Sequence, residues 1–253
     1  MLKKALGISV LAGIGAVLAS GTPIPGLVST GTGPTGSADP AWAVAYSATP
    51  GPTSLSFAPA MVTVDTGFPF PYWVANSSVS KWVSPNVEYG PGSGVYDDAV
   101  GYYFYQLSFN MGPGYDPATG TFTFRFSGDN WLTSIWLNST QIVTGYEGPG
   151  VLNHNFWTSP ITVTAGPGSG LVSGVNNLVV VVYNTGIPGG TNPQNISTWN
   201  PGGLRFEVLD SSIVFVPPQG GGGGEGPVIP EPAAFVLCGL GLASLGWMKL
   251  RRA

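Results

Sequence analysis

The seven residues Gly120–Phe126, "GTFTFRF", alternate without exception: Phe122, Phe124 and Phe126 fall on one side, Thr121, Thr123 and Arg125 on the other. A period of two over this length is the mark of a strand with one face buried. The same reading extends in both directions. "SIWLN" puts Ile135 and Leu137 on one face and Ser134, Trp136 and Asn138 on the other. "NNLVVVVYN" is an unbroken β-branched run, which suits a central strand covered on both faces. "GLRFEVL" alternates again, with Leu204, Phe206 and Val208 inward and Arg205 and Glu207 outward, where a surface ion pair with Arg125 is expected. "GYYFYQLSF" and "SSIVFV" complete the set, and "GPGSG", "GPGYDPATG" and "AGPGSG" supply turns between strands. Short strands at regular intervals with no helical period predict an all-β fold over residues 44–216, an antiparallel β-sandwich or jelly roll. Its expected core is Phe122, Phe124, Phe126, Ile135, Leu137, Leu178, Val180, Val182, Leu204 and Phe206.

Composition agrees. The 253 residues include 39 Gly and 24 Pro, which weaken helix interiors, and 12% aromatics, too many for a disordered chain. Only 8% of residues are charged. Residues 44–216 hold three basic residues (Lys81, Arg125, Arg205) against nine acidic ones, a net of −6 that would repel a phosphate backbone and argues against nucleic acid as a partner. The single cysteine, Cys238, lies in the C-terminal apolar stretch, so neither an internal disulfide nor a cysteine zinc site can form.

Three segments, "FSGDNWLTSIWLNSTQIV", "LVSGVNNLVVVVYNTG" and "NPGGLRFEV", resemble the second half of the galactose-binding-like β-sandwich. That module carries an Asp-Asn turn before a strand ending in Leu-Asn-Gly, then a Gly-x-Asn strand and a closing Asn-Pro-x-Gly-Leu-Arg strand. The matching positions here are Asp129–Asn130, Leu137–Asn138, Gly174–Asn184 and Asn200–Glu207, with Ser139 where the family usually has Gly. The resemblance implies a galactose-binding-like sandwich, for which carbohydrate is the favoured ligand. Sugar sites stack an apolar sugar face on an aromatic ring and bind hydroxyls with Asn, Asp or Arg. The candidate ligand residues are accordingly Asp129, Asn130, Trp131, Trp136, Asn138, Trp199 and Asn200. Set against this, a sandwich often uses its tryptophans as core plugs, and Asp129 and Asn130 suit the capping of a tight turn.

Acid–base chemistry is thinly supplied. His154 in "LNHNFW" is the only histidine, and no nucleophile elbow or phosphate loop is present. Asp116, Asp129, Glu147 and Glu207 are the carboxylates from which a glycosidase pair would be drawn, the least favoured reading. No cofactor is expected; a structural Ca²⁺ would use "VYDDAVG" or "GYDPATG", neither with EF-hand spacing. The other alternative to sugar binding is a structural matrix protein that assembles with itself.

The two ends read as addresses. Residues 1–21 have Lys3 and Lys4 before an apolar run from Ala5 to Ala19 and a small-residue exit, the layout of a secretory signal peptide. Residues 22–43, without hydrophobic period, read as a flexible leader. After the sandwich, 217–227 contains five consecutive glycines and reads as a linker. Residues 228–253 then bring Pro230, Glu231 and Pro232, an apolar stretch from Ala233 to Met248, and Lys249, Arg251 and Arg252. At 1.5 Å per residue that stretch covers roughly 24 Å as a transmembrane helix, against a hydrocarbon core of about 30 Å. Its basic end would stay cytoplasmic and leave the sandwich outside. The combination closely resembles the PEP-CTERM sorting signal of exopolysaccharide-producing Gram-negative bacteria. The resemblance implies export, transient inner-membrane insertion, recognition of the tripeptide by an exosortase-type membrane protease, and a mature form at the cell surface or in the extracellular matrix, a biofilm setting.

Overall fold

The computed structural model describes residues 21–66, 69–86, 98–145, 153–164, 166, 169–185 and 200–217. Outside them lie the signal segment before Gly21, Trp199, the linker beyond Pro217 and the whole sorting signal, including Pro230, Glu231, Pro232, Lys249, Arg251 and Arg252.

Among the described residues, ten strands form one antiparallel sheet in the order β7-β6-β9-β4-β1-β2-β3-β10-β5-β8. They are β1 Ala38–Ser47, β2 Ala58–Val62, β3 Val83–Ser84, β4 Gly101–Met111, β5 Tyr115–Asp129, β6 Trp131–Leu137, β7 Thr140–Thr144, β8 Ile161–Val163, β9 Gly174–Asn184 and β10 Gly203–Phe215. The sheet turns back on itself at β1, whose register shifts between Ala38 and Ala43. There the buried Asp39 carboxylate accepts from the backbone N–H groups of Gly31, Ala41 and Trp42 (2.6, 2.8 and 3.1 Å). These donors would otherwise be orphaned by the bulge. One end of β1 thus pairs with β2 and the other with β4, and the two halves of the sheet face each other across a single core. The described residues form an antiparallel β-sandwich.

The alternation in the sequence sets the inside of this sandwich. All ten expected core residues are at most 1% exposed. Phe124 on β5 stacks on Phe206 on β10 with ring centroids 4.8 Å apart, as the register Phe126↔Phe206 and Val208↔Phe124 allows. "NNLVVVVYN" runs as β9 between β6 and β4, an interior strand as its composition implied. "GLRFEVL" and "SSIVFV" prove to be two parts of one long strand, β10, joined through register shifts after Val208 and Ser212.

Residues 22–43 are not a flexible leader. Thr22 bridges Ile213, Ile24 and Leu27 are buried in the core, and the Thr30 hydroxyl joins Phe206 to Lys81. The segment has no period because it crosses strand ends instead of lying along a sheet, so its few apolar residues plug gaps singly. Gly31, at φ +71°, passes so close to Lys81 that a Cβ would lie 2.4 Å from the lysine Cβ.

An aromatic cleft over the charged strands

Arg125, Arg205 and Glu207 point away from the core, as their alternation requires, yet Arg205 and Glu207 are buried and Arg125 is only partly exposed. Arg205 is 2% exposed and Glu207 6%. The long connection from β2 to β3 crosses the outer face of β5 and β10 and covers them. Glu207 accepts from Arg125 Nη2 (2.9 Å) and from the Ser80 hydroxyl (2.8 Å). Arg205 donates to Ser80 Oγ (3.0 Å), to Ser77 Oγ (2.9 Å) and to the Ala75 carbonyl. Burial pulls the Arg205 guanidinium down to about 10, with Glu207 opposing and Arg125 adding to the depression, so it stays cationic at neutral pH. Trp157 lies against both guanidinium groups, with centroid distances of 4.3 Å to Arg125 and 4.4 Å to Arg205. Such contacts contribute about 0.5–2 kcal/mol each. The expected surface ion pair is therefore a largely covered network, and nothing in the local periodicity marks residues 72–80 as its lid.

The same connection anchors itself with tryptophan. Trp73 and Trp82 stack with centroids 4.1 Å apart, and both are buried. Trp82 Nε1 donates to the Val74 carbonyl (2.7 Å), and its backbone N–H donates to Asn76 Oδ1 (2.9 Å). The pair rests on Gly203, where a Cβ would come 2.6 Å from the Trp73 ring, which gives the second glycine of "NPGGLR" a physical reason. Trp73 Nε1 donates to Asp129 Oδ2 (2.8 Å).

Asp129 thereby sits at a junction. Its other oxygen accepts from Asn130 Nδ2 (2.5 Å) and lies 3.5 Å from His154 Nδ1, an ion-pair distance when the imidazole is protonated. Burial alone would lower the His154 pKa, but the nearby Asp129 carboxylate outweighs it and raises it above the ordinary histidine value. His154 belongs to a single 3₁₀ turn, Asn153–Asn155, and its carbonyl accepts from the Val74 N–H (2.8 Å). Two segments of chain are thus pinned side by side, one by Trp73 and the other by His154, through one carboxylate.

Between them opens a cleft of about 630 Å³ lined by Asp65, Phe70, Pro71, Tyr72, Trp73, Val74, Ala75, Asn76, Asn155, Phe156 and Trp157. Tyr72 (37% exposed) and Phe156 (45%) present ring surface to solvent. Asn76 Nδ2 is buried without a hydrogen-bond partner among the described residues. The Asp65 and Asn155 side chains are exposed and likewise meet no protein partner among them. Unpaired polar groups converging among aromatic rings are what a small-molecule or saccharide site needs.

The residues read from the sequence as ligand contacts do not gather in one place. Asp129 and Asn130 hold the β5–β6 turn, whose peptide is cis; Asn130 Oδ1 accepts from Thr185 N–H (2.7 Å) and Oγ1 (3.0 Å). Asn200 Nδ2 donates to the Asp98 carbonyl (3.0 Å) at the same end of the sandwich. Asn138 sits at the far end of β6 in a left-handed conformation (φ 54°), bonded to Gly170, Asn176 and Asn177. Neither turn spends these Asx side chains on its own backbone: they tie the turns to distant segments, Asn130 to Thr185 and Asn138 to Gly170, Asn176 and Asn177. Trp131 packs on Tyr183 (5.8 Å), its indole nitrogen buried without a partner among the described residues. Trp136 is 36% exposed on the outer face of β6 with its N–H on Ser134. The cleft was missed although "FPFPYW" and "NHNFW" contain its rings, because nothing in either string shows that they meet.

Of the proposed Ca²⁺ loops, Asp97 lies outside the described residues. The Asp98 carboxylate accepts from Asn86 Nδ2 (2.6 Å) and Gly202 N–H (2.8 Å), and Asp116 accepts from the Ala118 N–H (3.0 Å). Among the described residues no three His, Cys, Asp or Glu side chains converge on a metal-sized site.

No family model and no curated protein matches the chain. Among solved structures it is similar to a Stig cyclase, Fisc from Fischerella sp. TAU in complex with (3Z)-3-(1-methyl-2-pyrrolidinylidene)-3H-indole. That match has 11% identity over 75% of this chain and 98% of the other, with a TM-score of 0.34. It is also similar to a β-glucosidase from Kluyveromyces marxianus in complex with glucose, at 17% identity over 76% of this chain and 18% of that one, with a TM-score of 0.29. At these scores neither likeness bears on what this chain binds.

Proposed function

We propose that the sandwich binds saccharide without turning it over, and that the site is the cleft between residues 65–76 and 155–157. The observation that carries this is the coincidence of two exposed rings, Tyr72 and Phe156, with the exposed, unpartnered polar side chains of Asp65 and Asn155 in one concavity. Rings of this kind cover the apolar face of a sugar while carboxamides and carboxylates take its hydroxyls. Binding is favoured over hydrolysis because Asp129 and Glu207, two of the carboxylates a glycosidase would draw on, spend their oxygens on Trp73, Asn130, Ser80 and Arg125.

The protein in this reading is exported, held briefly in the inner membrane by residues 233–248, and processed at Pro230-Glu231-Pro232 by an exosortase-type protease, leaving the sandwich at the cell surface or in the matrix. Its ligand there is the surrounding exopolysaccharide. Titration of the purified chain with a panel of oligosaccharides tests the binding half: at least one neutral oligomer binds, and Tyr72→Ala and Phe156→Ala each weaken it about three- to tenfold, the scale of one aromatic contact. Silence across the panel sinks it. Intact-mass analysis from the native host tests the sorting half; a C-terminal mass that is the same with and without the protease contradicts it.

A further inference from the structure

We infer that the cleft selects saccharides carrying a free amino group over those carrying carboxylates, and that Asp65 sets the preference. This rests on the saccharide-binding reading above. Among the described residues, Asp65 is the only acidic or basic side chain in the lining, and no hydrogen bond or ion pair from the protein satisfies it. The buried carboxylates of this sandwich are satisfied: Asp39 by three backbone N–H groups, Asp98 by Asn86 and Gly202, Asp129 by Trp73 and Asn130, Glu207 by Arg125 and Ser80. Asp210 is exposed and, like Asp65, has no described partner, but it lies outside the cleft. Asp65 is the unpartnered carboxylate that lies where a ligand would lie.

The described basic groups are all turned elsewhere. Lys81 Nζ donates to the Gly33 carbonyl (2.8 Å), Arg125 pairs with Glu207, Arg205 is spent on Ser77, Ser80 and Ala75, and His154 faces Asp129. A uronate or pyruvylated sugar entering the cleft would meet the Asp65 charge with no described cation free to offset it. An ammonium would meet an unpaired carboxylate, and its approach over the Tyr72 and Phe156 faces is also favourable, since aromatic faces attract cations. The exposed Asn155 carboxamide remains to bind ring hydroxyls of either ligand, which is why Asp65 discriminates between sugars without being required for binding. The lining has openly solvated edges, so the effect is that of an exposed ion pair, about fivefold at low salt.

The test is calorimetric titration of the full chain at low salt near pH 6 with three oligomers of one length: glucosamine, N-acetylglucosamine and galacturonate. The expected order is glucosamine tightest, by about fivefold over the N-acetyl oligomer, with galacturonate weakest. Asp65→Asn brings glucosamine and N-acetylglucosamine level while leaving the N-acetyl affinity within about twofold, and 0.5 M salt does the same to the wild type. Galacturonate binding as tightly as glucosamine, or an unchanged preference in Asp65→Asn, overturns the assignment. If the oligomers bind equally and Tyr72→Ala still weakens them, selectivity fails and saccharide binding stands. If none binds, both fail.

Discussion

The two halves of this sandwich share one core and differ in what they place behind it. Strands β4, β6, β7 and β9 contain no Asp, Glu, Lys or Arg at all. Their outer face carries Tyr102 on Tyr183 (4.7 Å) and a small carboxamide network in which Gln106 and Ser108 both bond Asn177 Oδ1 (2.6 Å each). Strands β5 and β10 carry Arg125, Asp129, Arg205 and Glu207, of which all but the partly exposed Arg125 are buried, bonded to Trp73, Ser77 and Ser80 of the β2–β3 connection. A buried charge is costly unless paired, and here the pairing extends through Ser77, Ser80 and Trp157 into the connection itself. The charged half thereby fixes a loop in place, and the fixed loop makes the cleft. The uncharged half has no such means of holding a long connection.

The comparison breaks most severely at Arg205. Removing it takes the 3.9 Å ion pair from buried Glu207 and the donor from Ser77, Ser80 and the Ala75 carbonyl, so Arg205→Ala is expected to cost about 3–5 kcal/mol in urea unfolding. Gln106→Ala, on the opposite outer face, stays within about 0.5 kcal/mol. Equal losses at the two sites would show that the charged strands hold nothing special. Gly203→Ala drives a methyl into the Trp73 ring; about 1–3 kcal/mol of destabilisation follows, together with a changed near-ultraviolet circular dichroism signal from the Trp73–Trp82 stack.

A smaller effect runs through His154. Its pKa is raised in the folded state by Asp129, so the stability it contributes is fully present below the ordinary histidine value of about 6.5 and is lost as pH rises through the folded value. Melting temperature should therefore fall as pH increases through that window in the wild type. His154→Gln should flatten the trend, and Gln141→Ala on β7 should not. A wild-type melting temperature that rises over the same window would contradict the Asp129–His154 pairing.

How far the sequence could be read follows the same division. Periodicity in "GTFTFRF", "SIWLN" and "GLRFEVL" identified which side chains face the core, because a period of two is a local property of the strand. It placed Arg125, Arg205 and Glu207 correctly on the outside of the strands and could not show that residues 72–80 cover them. That coverage is made by contacts such as Ser80 to Glu207, between positions more than a hundred residues apart. For the same reason Asp129 was legible as a special turn residue but not as the link between Trp73 and His154. Trp136 and Asn138, chosen because they adjoin Asn-rich strings, fall on the charge-free half and at the opposite end of β6. The apolar residues of 22–43, Ile24 and Leu27 among them, gave no period because each fills a separate gap.

The central claim is that the ligand cleft belongs to the charged half, beneath the loop that its network holds. One titration addresses it most directly: a bound neutral oligosaccharide against wild type, the double variant Tyr72→Ala/Phe156→Ala, and Trp136→Ala on the outer face of β6. Loss of binding in the double variant with Trp136→Ala unaffected is the predicted result. Binding that survives the double variant and disappears with Trp136→Ala would move the site to the uncharged face and contradict the account.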